Sequence, residues 1–163
     1  MYYTSGTSGR SKGVVLTQGN VCAHADAAVQ EHAFVEDDVW GHFAPMFHLV
    51  DAFAMFAITR VGGTHIVLRD GGGPFSPHAV LSTIEQYGVT KTNLTATMMT
   101  ITVATLNAEK RGLRRTAAPH GVVQPSYDLS SARLVSCGGS APSAATIAAA
   151  SASRAFVASA STL

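Results

Sequence analysis

The chain has 163 residues, 47% of them hydrophobic and 13% charged, with a formal net charge of +1. That length fits one domain able to bury about 70% of its unfolded surface, and the apolar fraction excludes a disordered chain. The charge balance lacks the basic excess of a nucleic-acid binder, and a charged fraction about half the ordinary value implies a large core or a face that another segment covers.

Taken in chain order, residues 1–4 are short, aromatic and strand-like, and 5–10 form a loop of glycines and hydroxyls. Residues 13–16, rich in β-branched side chains, read as a second strand. Thr17 is a natural N-cap for a helix running to about residue 33. Residues 39–44 read as a strand that Pro45 ends. Apolar residues at helical spacing follow from 50 to 61, stopped by Gly62 and Gly63. The sequence then predicts a strand at 64–68, a glycine turn at 71–74 and a helix at 77–87 ended by Gly88. A strand at 90–95 and a helix at 97–110 come next. Residues 111–126 form a long loop with basic residues, of the kind that marks an insertion. A strand at 132–136, a glycine-rich turn, a helix at 143–153 and a last strand at 155–158 complete the pattern. Strands alternating with helices predict an α/β fold with a mostly parallel sheet and flanking helices. Ligands of such sheets sit at the carboxyl ends of the strands.

Cys22 and Cys137 are too few for a disulfide framework and read as reduced, buried small hydrophobes. The start of the chain shows no signal peptide. The apolar stretch from 43 to 61 is broken by His48, Asp51 and Arg60, which argues against a membrane helix. A cytoplasmic setting is the expectation.

The first chemical motif is Thr4-Ser5-Gly6-Thr7-Ser8-Gly9-Arg10-Ser11-Lys12-Gly13. Glycines let backbone N–H groups approach and cradle an anion. Ser5, Thr7 and Ser8 add hydroxyl donors, and Lys12 adds a point charge. This composition suits an oligophosphate. The P-loop pattern G-x-x-x-x-G-K-[ST] fails at Ser11 and Gly13, and the dinucleotide and nucleophile-elbow patterns fail on spacing. A plain flexible turn would need neither the hydroxyls nor the lysine.

Residues 1–12 resemble the signature of the adenylate-forming, or AMP-binding, superfamily, whose form is close to Y-T-S-G-T-T-G-x-P-K-G-V. That superfamily includes acyl-CoA synthetases and coumarate ligases. Ser11 stands where proline is usual, and Gln18 where histidine is usual. Phe43-Ala44-Pro45-Met46-Phe47-His48-Leu49 is similar to the superfamily's P-x-F-H segment. The resemblance makes His48 the gate of the acid pocket. From the residues alone, a histidine flanked by Phe47 and Leu49 is either a satisfied core residue or a polar tip in an apolar cleft. The other histidines lack metal-ligand spacing and receive no role. Asp128 to Pro142 resembles the superfamily's D-L-S-S-L-R-x-V-x-x-G-G-A-P run, which places Gly138, Gly139, Ser140, Ala141 and Pro142 beside the adenine. Thr4, Ser5, Gly6, Thr7, Ser8, Gly9 and Lys12 would hold the phosphates.

The resemblance covers residues 1–147 and then gives way to an alanine- and serine-rich tail at 148–163. It implies a slice of the large nucleotide-binding domain of an acid–thiol ligase. Such an enzyme activates a carboxylic acid as acyl-adenylate with ATP, then passes the acyl group to a thiol. ATP or AMP, Mg2+ and coenzyme A are the implied cofactors, with a nucleotide and a carboxylic acid as partners. No nucleic acid, transmembrane segment or partner protein is indicated. The superfamily's magnesium-ligand glutamate, ribose aspartate and C-terminal lysine have no counterpart, since no Asp, Glu or Lys follows Asp128. An alternative is therefore a non-catalytic domain that at most binds ATP or AMP. A P-loop phosphotransferase is a weaker third reading. Met46, Phe47, Leu49 and Phe53 favour a fatty or aryl acid.

Overall fold

The computed structural model describes residues 2–4, 9–68, 74–110, 127–138, 141–152 and 158–160. The sequence-predicted loop at 111–126 and glycine turn at 71–73 lie outside these. Two short strands, β1 (Tyr2–Thr4) and β2 (Lys12–Val14), pair antiparallel as a hairpin. Then come α1 (Gln18–Glu31), β3 (Val39–His42), α2 (Leu49–Val61), β4 (Thr64–Val67), α3 (Pro77–Tyr87) and β5 (Lys91–Thr95). The chain continues through α4 (Ala96–Lys110), β6 (Leu134–Gly138), α5 (Ala144–Ala152) and β7 (Ala158–Ala160). Strands β3 to β7 form one parallel five-stranded sheet in the order β4-β3-β5-β6-β7. This is the α/β architecture the alternation of elements predicts.

Local chemistry explains the helix ends. Thr17 and Asn20 close a reciprocal capping box at the start of α1. Ser76 caps α3 with Pro77 in its first turn, and Gly88 ends it in the left-handed region at φ 62°. Gly62 does the same for α2 at φ 77°. The end of α1 uses a distant partner: Lys91 Nζ donates to the carbonyls of His32 (2.9 Å) and Ala33 (2.7 Å) and to Asp38 (2.9 Å). Its three donors are thus matched by three acceptors.

Several strand limits differ from the sequence-based expectation. β3 stops at His42 rather than residue 44, and β2 occupies 12–14 rather than 13–16; of the strand expected at 155–158, residues 155–157 lie outside the described residues. β6 lies two residues later than expected, at 134–138, because its register is set by pairing Leu134 with Lys91 and Gly138 with Thr95. Only that pairing, invisible locally, decides which residues extend.

Two cores cover the sheet. One is aliphatic: Val80, Leu81 and Ile84 of α3 and Met99, Val103 and Leu106 of α4 pack with Leu94, Val135 and Cys137. Each fully buried side chain of this size is worth about 1.5–3 kcal/mol. The other is aromatic and sits under α1 and α2: Phe34, Trp40, Phe53, Ala54, Ala57 and Ile58. Cys137 is buried, as expected, and burial pushes its thiol pKa up. Cys22 is exposed, contrary to expectation, because it lies on the solvent side of α1 while Ala25 and Ala28 face inward.

Candidate active site at the carboxyl ends of the strands

The sheet has one switch point. From β3 the chain runs through α2 outward to β4, and from β5 it runs through α4 the other way to β6. Connections that diverge from adjacent parallel strands leave a crevice at their carboxyl ends, where ligands of such sheets bind. Here the crevice lies between His42 at the end of β3 and Thr95 at the end of β5.

The His48 segment leaves β3 at this end, and the Gly138 segment leaves β6. β5 alone separates those strands, so the two segments start about 10 Å apart. His48 is the N-cap residue of α2, with extended backbone (φ −92°, ψ 140°) and no capping bond from its side chain. Its ring meets Phe47 at 4.6 Å between centroids. His48 is exposed, as are Phe47 (77%) and Leu49 (63%), so the enclosing cleft expected around His48 is not formed by the described residues. The apolar space lies one helical turn away. A cavity of about 440 Å³ is lined by Leu16, Val21 and His24 from α1 and its approach and by Leu49, Phe53 and Phe56 from α2. Its walls suit an apolar chain or ring.

The phosphate-type loop is carried by the hairpin. Thr4 pairs with Lys12 across its base. Gly9 has φ 94° with open space where a Cβ would stand, so backbone conformation, not crowding, demands glycine. Lys12 is exposed and makes no ion pair among the described residues. Ser5, Gly6, Thr7 and Ser8 lie outside the described residues, as do Gly139 and Ser140. Gly138 is buried at the end of β6, Ala141 is exposed and Pro142 buried. The hairpin joins no strand of the five-stranded sheet. The structure therefore brings the His48 and Gly138 segments to one end of the sheet, while the hairpin remains a separate two-stranded unit.

The family model for AMP-binding enzyme matches residues 1–158. The chain belongs to the AMP-binding enzyme family. Within this family it is 34% identical over 131 residues to a putative 4-coumarate–CoA ligase-like protein 8 of Oryza sativa subsp. japonica, covering 71% of this chain and 20% of the relative. It is 35% identical over 112 residues to a 2-succinylbenzoate–CoA ligase of Bacillus pumilus, covering 69% and 22% respectively. The fold matches an O-succinylbenzoate coenzyme A synthetase from Bacillus subtilis, solved with ATP and magnesium ion, at a TM-score of 0.69 and 25% identity. That match covers 98% of this chain and 29% of the other. The chain spans about a fifth of the length of the curated relatives. No helix among the described residues is long and apolar enough to cross a membrane.

Sequence reasoning missed one cluster at the carboxyl end of the sheet. Asp51 is fully buried. Its Oδ1 accepts from the Trp40 indole N–H at 3.1 Å, and its Oδ2 lies 2.7 Å from His42 Nδ1. His42 Nε2 lies 2.8 Å from His65 Nδ1, and His65 Nε2 is 3.1 Å from the Thr59 hydroxyl. Burial lowers the His65 pKa, helped by His42 and opposed by Asp51. The available signal was the i, i+2 placement of Trp40 and His42 on one strand face, with an aspartate inside an otherwise apolar helix start.

Proposed function

We propose that this chain is the central part of the nucleotide-binding domain of an ATP-dependent acid–thiol ligase. Residues 1–147 would supply the site and residues 148–163 a divergent tail. The observation that carries this reading is the family match over residues 1–158. Two of the three family-like segments lie at the carboxyl ends of strands flanking β5, as a site at a switch point requires.

In this reading Thr4, Ser5, Gly6, Thr7, Ser8, Gly9 and Lys12 hold the phosphates of ATP through backbone N–H groups, hydroxyls and the ammonium charge. Gly138, Gly139, Ser140, Ala141 and Pro142 form the adenine side. The acid places its apolar part in the cavity between α1 and α2 and its carboxylate near His48, at the positive end of the α2 dipole. One carboxylate oxygen attacks the α-phosphorus of ATP and pyrophosphate leaves, giving acyl-adenylate. The sulfur of coenzyme A then attacks the acyl carbon and AMP leaves. The protein's work is alignment and charge neutralisation. A magnesium ion would offset phosphate charge. The described residues hold no cluster of three or more His, Cys, Asp or Glu suited to a metal ion. The aromatic and aliphatic walls favour a fatty or aryl acid, and the setting is cytoplasmic.

Calorimetry with ATP tests the loop. Weak binding by the wild type, lost in Lys12→Ala, is the expected result, and identical heats for the two proteins would remove the phosphate role. Acid-dependent ATP–pyrophosphate exchange tests turnover. A second reading is a non-catalytic domain that binds ATP or AMP. It predicts binding without exchange. Exchange by the chain alone, abolished in Lys12→Ala, would overturn it.

A further inference from the structure

We propose that Asp51, His42 and His65 form a proton-linked positioning cluster that seats the first turn of α2, and with it His48, against the carboxyl end of β3. The identity of what His48 serves rests on the function proposed above, but the seating itself does not.

Proton counting fixes the state of the cluster. The Thr59 hydroxyl donates to the Met55 carbonyl at 2.7 Å, so toward His65 it accepts. His65 therefore carries its proton on Nε2, and its Nδ1 is bare. His42 Nε2 must then donate to His65 Nδ1. The 2.7 Å contact on the other side needs a second proton, between His42 Nδ1 and Asp51 Oδ2. The indole N–H on Oδ1 favours the carboxylate form of Asp51. The cluster thus holds one proton in each of its two internal contacts, with zero net charge and every facing nitrogen and oxygen partnered. That neutrality is what makes its burial tolerable.

The geometry couples this cluster to α2. Asp51 lies in the first turn of α2, and the amides of both Asp51 and Ala52 bond to the His48 carbonyl, at 3.1 and 3.0 Å. An aspartate there would ordinarily face its own helix N-terminus. Here it turns into the sheet and pins the turn to Trp40 and His42. Leu49, Ala52 and Phe53, all in or next to this turn, line the cavity.

The cluster holds only while His65 Nδ1 accepts. A second proton in this contact, with both nitrogens protonated, sets two donors 2.8 Å apart and loosens the link between β3 and β4 at this point. The charged or titratable groups around it are few. His42 comes from β3 and Asp51 from α2. Lys91, in register with Trp40, is committed to Asp38. His32 stacks on Phe34 and Phe53 behind the indole. Arg60 on α2 points to solvent and pairs with Asp26.

The test is ring-nitrogen NMR of the whole chain, with the indole N–H of Trp40, the only tryptophan, as reporter. At neutral pH one proton in each contact of the His42 ring, toward Asp51 and toward His65, and one on Nε2 of His65 are expected. On acidification the Trp40 indole and the Ala52 amide signals move together, with the midpoint at which His65 takes its second proton. His65→Asn keeps an acceptor but cannot titrate, so it retains the neutral-pH signals and loses the joint transition. Asp51→Asn displaces the indole signal and abolishes the Phe47–His48 ring contact at neutral pH. A transition that survives in His65→Asn would trace to His32 and defeat the proposal. Absence of a shared proton from either His42 contact, or an Ala52 signal blind to His65, would also defeat it, whether or not Asp51→Asn folds. None of these signals needs ATP or an acid, so a failed ATP titration leaves this result standing and the reverse is equally true.

Discussion

The two ends of the parallel sheet each bury an ionic cluster, and the clusters differ in their partners. At the amino end, Asp38 is fully buried and receives Lys91 at 2.9 Å, Arg133 at 2.6 Å, the Thr90 hydroxyl at 2.8 Å and the Val35 amide at 2.9 Å. At the carboxyl end, Asp51 receives a histidine and an indole. Lys and Arg keep their charge over the whole working range of pH, whereas histidine does not. The amino end is thus a fixed clamp joining β3, β5 and the end of α1. The carboxyl end, where the ligand is proposed to bind, is held by groups that protons can rearrange.

The largest expected effect comes from breaking the clamp. Asp38→Ala strands a buried Lys91 and should cost about 3–5 kcal/mol, read as a lower midpoint in urea unfolding. A cost below about 1 kcal/mol would mean that the clamp contributes no more than a surface pair. Leu81→Ala, in the aliphatic core and touching neither cluster, should cost about 2–5 kcal/mol. Its cost should be nearly the same at pH 7.5 and 5.5, because the cluster it belongs to is built of hydrophobic side chains.

The pH dependence separates the ends more finely. Burial raises the Asp38 pKa, but the Val35 amide, Lys91 and Thr90 together lower it below its ordinary 3.8. A depressed carboxyl means that the unfolded chain binds more protons, so this stability is present above pH 3.8 and lost as pH falls through the folded value. His65 is also depressed, by burial, then His42, against Asp51, from an ordinary 6.5. Its contribution is full above that value and declines below it. His32 acts with the same sign, lowered by burial and Lys91 against Glu31. Melting curves should therefore fall in two stages, the first below about pH 6.5 and the second below about pH 4. His65→Asn should reduce the first stage and spare the second. A single stage near pH 4 in the wild type would erase the distinction between the ends.

Most of the framework was legible in local sequence, and the carboxyl-end cluster was not. The helix at 77–87 is bounded by Ser76, Pro77 and Gly88, each acting on its own backbone, and the structure has the same limits. The strand at 134–138 was displaced in the reading because pairing with β5 sets it. The hairpin was read as two strands without their partnership, since seven residues of loop chemistry intervene. Asp51, His42 and His65 lie on three elements and meet only when α2 crosses β3 and β4. No spacing rule joins residues 42, 51 and 65. The sequence singled out His48, whereas the histidines that bond to one another, His42 and His65, lie earlier and later in the chain.

The smallest effect expected is at a third ion pair. Arg60 on α2 and Asp26 on α1 meet at 2.7 and 3.4 Å, a geometry as good as that of the buried clusters. Their side chains are 55% and 48% exposed, however. Water already solvates both charges, so little desolvation is avoided and little attraction is gained, and salt screens what remains. Arg60→Ala should cost no more than about 1 kcal/mol, shrinking further in 0.5 M salt, while the cost of Asp38→Ala should hardly respond to salt. If the Arg60 loss instead matched that of Asp38 and resisted salt, burial would not be what distinguishes the pairs. The seating of α2 would then belong to its contact with α1 as much as to Asp51 beneath it.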